Sequence, residues 1–228
     1  MTAFQLQAEP FSFQIGFDFE HQAIADGFAF IAGVDEVGRG CLAGPVVAAA
    51  CILDITKPVP KSLNDSKKLT EKQRDEIAAE LRETAVAFAV GVVEAEEIDR
   101  INILEATKLA MIKAIEALAP AADHILIDAL QLKHLRIPQK AIIKGDSISY
   151  SIAAASVIAK TYRDDLMKRY DDEFPAYGFA GHKGYGCASH FAAIREHGPC
   201  RLHRMTFRGV GDGPSGPGKI DNVLEYKV

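Results

Sequence analysis

No stretch of this 228-residue chain offers the roughly 18 consecutive apolar residues that a membrane-spanning helix requires. The opening segment, residues 1–14, contains neither Lys nor Arg, so the basic start of a secretory signal is missing as well. A cytoplasmic protein with no membrane partner is the expectation. Cysteine is sparse. Cys41, Cys51, Cys187 and Cys200 have neither metal-ligand spacing nor the density of a disulfide framework, and reduced thiols are expected at all four. There is no internal repeat. Net positive charge is also lacking: 26 Lys+Arg against 31 Asp+Glu leave −5, which argues against nucleic acid as a partner. The distribution qualifies that exclusion. Residues 133–208 hold 13 basic and 7 acidic side chains, whereas residues 71–100 hold 9 acidic and 4 basic. Composition alone leaves a basic binding half and a chance clustering of solvated charges equally open. At 48% hydrophobic and 25% charged, the chain suits one globular domain, with or without an appendage.

What the chain does have is an apolar run, residues 28–34, that reads as a buried strand and passes straight into Asp35-Glu36-Val37-Gly38-Arg39-Gly40. Adjacent carboxylates repel, and burial makes this worse. A hard divalent cation removes the penalty. Further strands are predicted over 45–54, 85–93, 124–128 and 141–144, and helices from Thr70 to about Arg82, over about 103–118, across 147–170 and near 189–197. Three early strands with no helix between the first two imply antiparallel pairing there, and the β–α–β–α–β order that follows implies an α/β layered sheet. Asp35, Glu36, Asp128 and Asp146 then share a context, each at or just past the end of a predicted strand. Singly, Asp128 or Asp146 reads as a turn residue. Taken together, with two of them adjacent, the four favour a site for two Mg²⁺ ions suited to phosphoryl displacement.

The segments GVDEVGRGCLAGPVVAAA, NDSKKL, ILIDA, IIKGDSIS with SIAAASVIAK, and YGFAGHKGYG occur in that order and resemble type 2 ribonuclease H, the bacterial ribonuclease HII family. The likeness runs from about Phe19 to Phe207. It implies an α/β ribonuclease H-like fold, a mixed five-stranded sheet flanked by helices with a C-terminal helical extension. The expected division is an N-terminal segment with a short helix (1–27), a catalytic domain (28–208) and, from its Gly/Pro content, a flexible tail (209–228). The implied activity is hydrolysis of RNA in RNA–DNA hybrids and incision 5′ to single ribonucleotides embedded in duplex DNA. The ends left would be 5′-phosphate and 3′-hydroxyl. Two Mg²⁺ or Mn²⁺ ions would be held by Asp35, Glu36, Asp128 and Asp146, with Asp35 bridging them.

Matched to the family, Gly38, Arg39 and Gly40 resemble a backbone clamp on the ribose and its flanking phosphate, although the glycines alone read as a tight turn. Tyr185 matches the tyrosine that contacts the 2′-hydroxyl, where its bland reading is a packing aromatic. Lys67, Lys144 and Lys183 are implied phosphate contacts, each otherwise a solvated charge. His182 reads as a surface-loop histidine, and His203 and Arg204 as packing or backbone contacts. Asp164 is a rival fourth acid, read instead as a helix-surface ion pair beside Arg163. Cys41 stands where many members have proline. A monomer acting on RNA–DNA hybrid and ribonucleotide-containing duplex is the expectation. Ribonuclease HIII, a noncatalytic hybrid-binding module and a small-molecule phosphatase are the rivals.

Overall fold

The structure is a computed structural model that describes residues 15–211. The expected tail beyond residue 211, and residues 1–14, lie outside the described residues. Helix α1 (Asp18–Ala25) leads into strand β1 (Ile31–Val37), which turns back through β2 (Val46–Ile52). Helix α2 (Glu71–Thr84) follows, opened by a reciprocal capping box between Thr70 and Gln73. Next come β3 (Ala87–Val93), α3 (Ala95–Ile101), α4 (Ile103–Glu116), β4 (His124–Asp128) and β5 (Gln139–Ile142). One 24-residue helix, α5 (Tyr150–Glu173), comes next, followed by the short α6 (Phe179–His182) and α7 (Ala188–His197). The five strands form one sheet in the order β3-β2-β1-β4-β5. β1 pairs antiparallel with β2 and parallel with β4, so only β2 runs against the rest. The expected mixed five-stranded sheet, flanked by helices and followed by a C-terminal helical region, is present.

Alternation along the strands assigns the two faces. Ala32 and Val34 of β1 join Ala48 and Ala50 of β2 in a core shared with Ala110, Met111 and Ala114 of α4. Val47, Ala49 and Cys51 face the other way, onto Leu81 of α2 and the Ala153–Ala155 run of α5. Two glycines set how closely the helices approach. A Cβ on Gly33 would stand 2.0 Å from the Ser151 carbonyl carbon of α5, and one on Gly91 would stand 2.0 Å from the Ala110 oxygen of α4. Small residues on both surfaces therefore allow a close three-layer sandwich. All four cysteines are free thiols. Among the described residues, no helix is long and apolar enough to cross a membrane.

Several boundaries differ from the expectation: the strand expected over 141–144 lies at Gln139–Ile142, the helix expected over 147–170 lies at Tyr150–Glu173, and both ends of β1 move. β1 starts at Ile31 rather than residue 28, because the carboxylate of Asp123 takes the N–H groups of Ala29 and Phe30, each at 2.9 Å. It also runs on through Asp35 and Glu36 to Val37, so these acids lie within the strand and not after it. Asp146 does not directly follow a strand either. β5 ends at Ile142, Lys144 takes a left-handed conformation (φ 57°), and Asp146 sits in a tight 3-10 turn, Gly145–Ser147.

Candidate active site

Asp35 and Glu36 near the end of β1 and Asp128 at the end of β4 meet at the carboxyl edge of adjacent parallel strands, the edge where open α/β sheets bind ligands. Asp35 shares the face of Gly33, the α5 side. It is buried, and its Oδ1 accepts the Glu36 N–H at 2.7 Å. Burial, then the charges of Glu36 and Asp128, hold its carboxyl well above the usual range, against an opposing hydrogen bond from Ser156. Burial also raises Glu36, offset first by Arg39, whose Nη1 lies 3.2 Å from Oε1. Asp128 is raised by burial, while its Oδ1 accepts the Gly145 N–H at 2.8 Å. Asp146 is raised by burial and then by Asp65 and Asp128, with the Lys67 ammonium 3.7 Å away.

Lys67 reports the convergence. Burial works to lower its pKa, yet the charges of Asp146, Asp65, Asp35 and Asp128 outweigh that and raise it. Among the described residues, no three acids, histidines or cysteines are drawn together into a preformed metal cage. The physical reason is visible in their partners. With like charges uncompensated, Glu36 leans on Arg39, Asp146 on Lys67 and Asp128 on a main-chain N–H. The donors are nonetheless all carboxylate oxygens, the hard set that Mg²⁺ and Mn²⁺ take. Burial and neighbouring acids disfavour their ionised forms, a penalty that a divalent cation would remove, so the residues fit such ions.

The Gly38–Gly40 turn continues from β1 beside these acids. Gly38 has φ 91°, and a Cβ there would stand 2.3 Å from Arg163 Nε, whereas Gly40 has open space around the same point. Tyr185 is 43% exposed. Burial of its inner end, and then the neighbouring Cys41, push its phenol up to about 12, so it keeps its proton at neutral pH. Lys144 is exposed beside Asp146. Lys183 also has a left-handed backbone (φ 52°), and its ammonium donates to the Ala180 carbonyl.

The chain matches the family model described as Ribonuclease HII over residues 32–210. The Ribonuclease HII of Chlamydia caviae is 58% identical over 193 residues, covering 84% of this chain and 90% of that protein. The chain belongs to the ribonuclease HII family. It is a ribonuclease H-type hydrolase. Among solved structures, the ribonuclease HII of Archaeoglobus fulgidus in complex with PCNA matches with a TM-score of 0.67 at 27% identity, over 77% of this chain and 92% of that one. The Bst-RNase HIII in complex with Mn²⁺ matches with a TM-score of 0.61 at 24% identity, over 80% of this chain and 68% of that one, and shows the shared fold.

Sequence reasoning passed over several side chains near this site. Asp65 adds a fifth carboxylate, capping the turn Ser66–Lys68 through the Lys67 N–H at 2.9 Å. The Ser66 and Ser156 hydroxyls meet at 2.9 Å in the interior. The ion pair expected of Asp164 is present, but in the interior and not at the helix surface. Asp164 is buried, accepting from Lys160 at 2.8 Å with Arg74 3.7 Å away, and Arg163 is fully buried with no carboxylate partner among the described residues. His182, read as a surface residue, is half-buried and stacks on His190 with ring centroids 4.2 Å apart.

Proposed function

We propose that this chain hydrolyses RNA in RNA–DNA hybrids and incises duplex DNA on the 5′ side of single embedded ribonucleotides, leaving 5′-phosphate and 3′-hydroxyl ends. The observation that carries the reading is the pairing of parallel β1 and β4, which sets Asp35 and Glu36 beside Asp128 at one sheet edge, with the Gly38–Gly40 turn continuing from the same strand end. Asp35, Glu36, Asp128 and Asp146 would hold two Mg²⁺ or Mn²⁺ ions. Such ions, when bound, neutralise charge on the scissile phosphate and lower the pKa of water.

The remaining roles belong to the chain itself. Lys67 and Lys144 lie beside Asp146 and are suited to phosphate oxygens, which gives affinity and register without sequence preference. Lys183 can join them once its ammonium leaves the Ala180 carbonyl. Only the 2′-hydroxyl separates RNA from DNA at one position. The main chain of Gly38, Arg39 and Gly40 can approach it closely, and Tyr185 keeps the phenol proton to donate. A monomer working in the cytoplasm completes the proposal.

The deciding experiment is incision of a DNA duplex carrying one ribonucleotide, with Mg²⁺, Mn²⁺ or EDTA, beside an all-DNA control. Metal-dependent cutting confined to the 5′ side of the ribonucleotide is expected. Activity on long hybrids alone would remove the single-ribonucleotide part of the reading and Tyr185's role in it. Binding without cutting of either substrate would favour the noncatalytic module.

A further inference from the structure

Arg163 of α5 and Arg204, beyond α7, are both fully buried, and neither meets a carboxylate among the described residues. A buried charge without a counter-ion is costly and persists only where its hydrogen bonds are satisfied. Here every bond goes to a main-chain carbonyl. Arg163 donates from Nε to Pro45 at 2.9 Å, from Nη1 to Lys183 at 2.8 Å and from Nη2 to Ala43 at 3.1 Å. Arg204 donates from Nε to Gly44 at 3.0 Å, from Nη1 to Arg39 at 2.9 Å, and from Nη2 to Gly38 at 2.7 Å and Gly44 at 2.8 Å. Its guanidinium carbon also lies 5.0 Å from the centre of the Phe207 ring.

These carbonyls belong to two loops and no others. One is the Gly38–Pro45 turn and the other is the segment that leads into Tyr185. The loops also bond to each other, with the Leu42 N–H donating to the Gly184 carbonyl at 2.8 Å. Backbone meets backbone there: a Cβ on Gly184 would stand 2.3 Å from the Ala43 oxygen. Gly38 lacks a side chain where Arg163 passes, so the glycine admits the guanidinium as well as the positive φ.

We infer that Arg163 and Arg204 are positioning residues for ribonucleotide recognition, fastening the Gly38–Gly40 turn and the Tyr185 loop into one rigid receptor for a 2′-hydroxyl. The inference rests on the function proposed above. A planar fork can span several carbonyls in fixed directions, which a lysine ammonium cannot do. Burial lowers the pKa of Arg204 only to about 10, so the fork stays charged throughout the neutral range.

The test uses Arg163→Lys and Arg204→Lys in the full chain, with thermal melting as a check on folding. The expected result is a fall in kcat/KM on the single-ribonucleotide duplex of about 100-fold, the cost of misplacing a reacting group by roughly an ångström. Affinity for all-DNA duplex, which rests on phosphate contacts, should stay within about twofold. A purely structural role would lower both by the same factor, and that outcome, or unchanged kcat/KM, overturns the inference. Hydrogen exchange on the wild-type protein provides a readout that needs no variant. The Leu42, Gly44 and Arg204 amides should exchange as slowly as those of β1 and β2, and fast exchange there would refute the rigid receptor. Wild-type protein that fails to incise, yet protects these amides, would sink the proposed function and leave the fastening of the loops intact.

Discussion

The Lys67 ammonium stands 3.7 Å from the Asp146 carboxylate, and the same lysine feels the charges of Asp65, Asp35 and Asp128. Its positive charge offsets part of the repulsion among these acids. Lys67 itself is largely exposed, so the pair contributes little to folding.

Asp146→Asn should therefore separate chemistry from stability. The substitution keeps the shape of the side chain and removes one charge from a cluster in which burial, Asp65 and Asp128 already disfavour ionisation. Melting in EDTA should show a transition at or slightly above that of the wild type. Incision should fall by at least about 100-fold, the scale for losing one charge-stabilising group in an active site. Turnover at the wild-type rate would remove Asp146 from the metal set. A large drop in the transition would give it a folding role instead.

Much of this arrangement was legible in the sequence because it is local. His124–Asp128 is an apolar run ending in an acid, and it folds as that strand. Thr70, read as the opening of its helix, caps it in the structure. The ordered motifs identified the family before any geometry was known. What stayed hidden depends on partners distant in the chain. Asp123 trims the start of β1 from more than 90 residues away. Arg163 reaches Pro45 across 118 positions, and Arg204 reaches Gly38 across 166. A charged side chain on a long helix reads as surface until the loops that bury it are folded over it.

Glu20 is another such residue, fully buried although its helix reads as a surface element. Its Oε1 accepts the Ser149 hydroxyl at 2.6 Å and the Ser151 N–H at 3.0 Å, fastening α1 to the N-terminus of α5. A negative group suits that end of a helix. Glu20→Ala should destabilise the fold by about 2–3 kcal/mol, because two donors lose a charged acceptor in the interior. Glu20→Gln keeps an acceptor oxygen and should cost less. Denaturant melts of the two variants check the order, and equal losses would mean that packing, not these bonds, holds α1.

The histidines behind Tyr185 predict how the C-terminal region responds to acid. His190 Nδ1–H donates to the Tyr185 carbonyl at 2.8 Å, and His203 Nδ1 accepts the Cys200 N–H at 3.0 Å. The two Nε2 atoms meet at 3.1 Å, so His203 donates, His190 accepts, and both rings must be neutral. Burial is the main cause lowering each from an ordinary 6.5 to about 4. For a histidine whose folded pKa is depressed, the contribution to stability is complete above 6.5 and is lost as pH falls toward 4. One shift of that size corresponds to roughly 3 kcal/mol at the acid end, and the shared bond keeps the pair from counting twice. Melting transitions measured from pH 7.5 to 4.5 should hold steady above about 6.5 and fall below it. His190→Gln, which cannot gain that proton, should flatten the fall even if it begins from a less stable protein. An equally steep fall in this variant would assign the acid sensitivity to other groups.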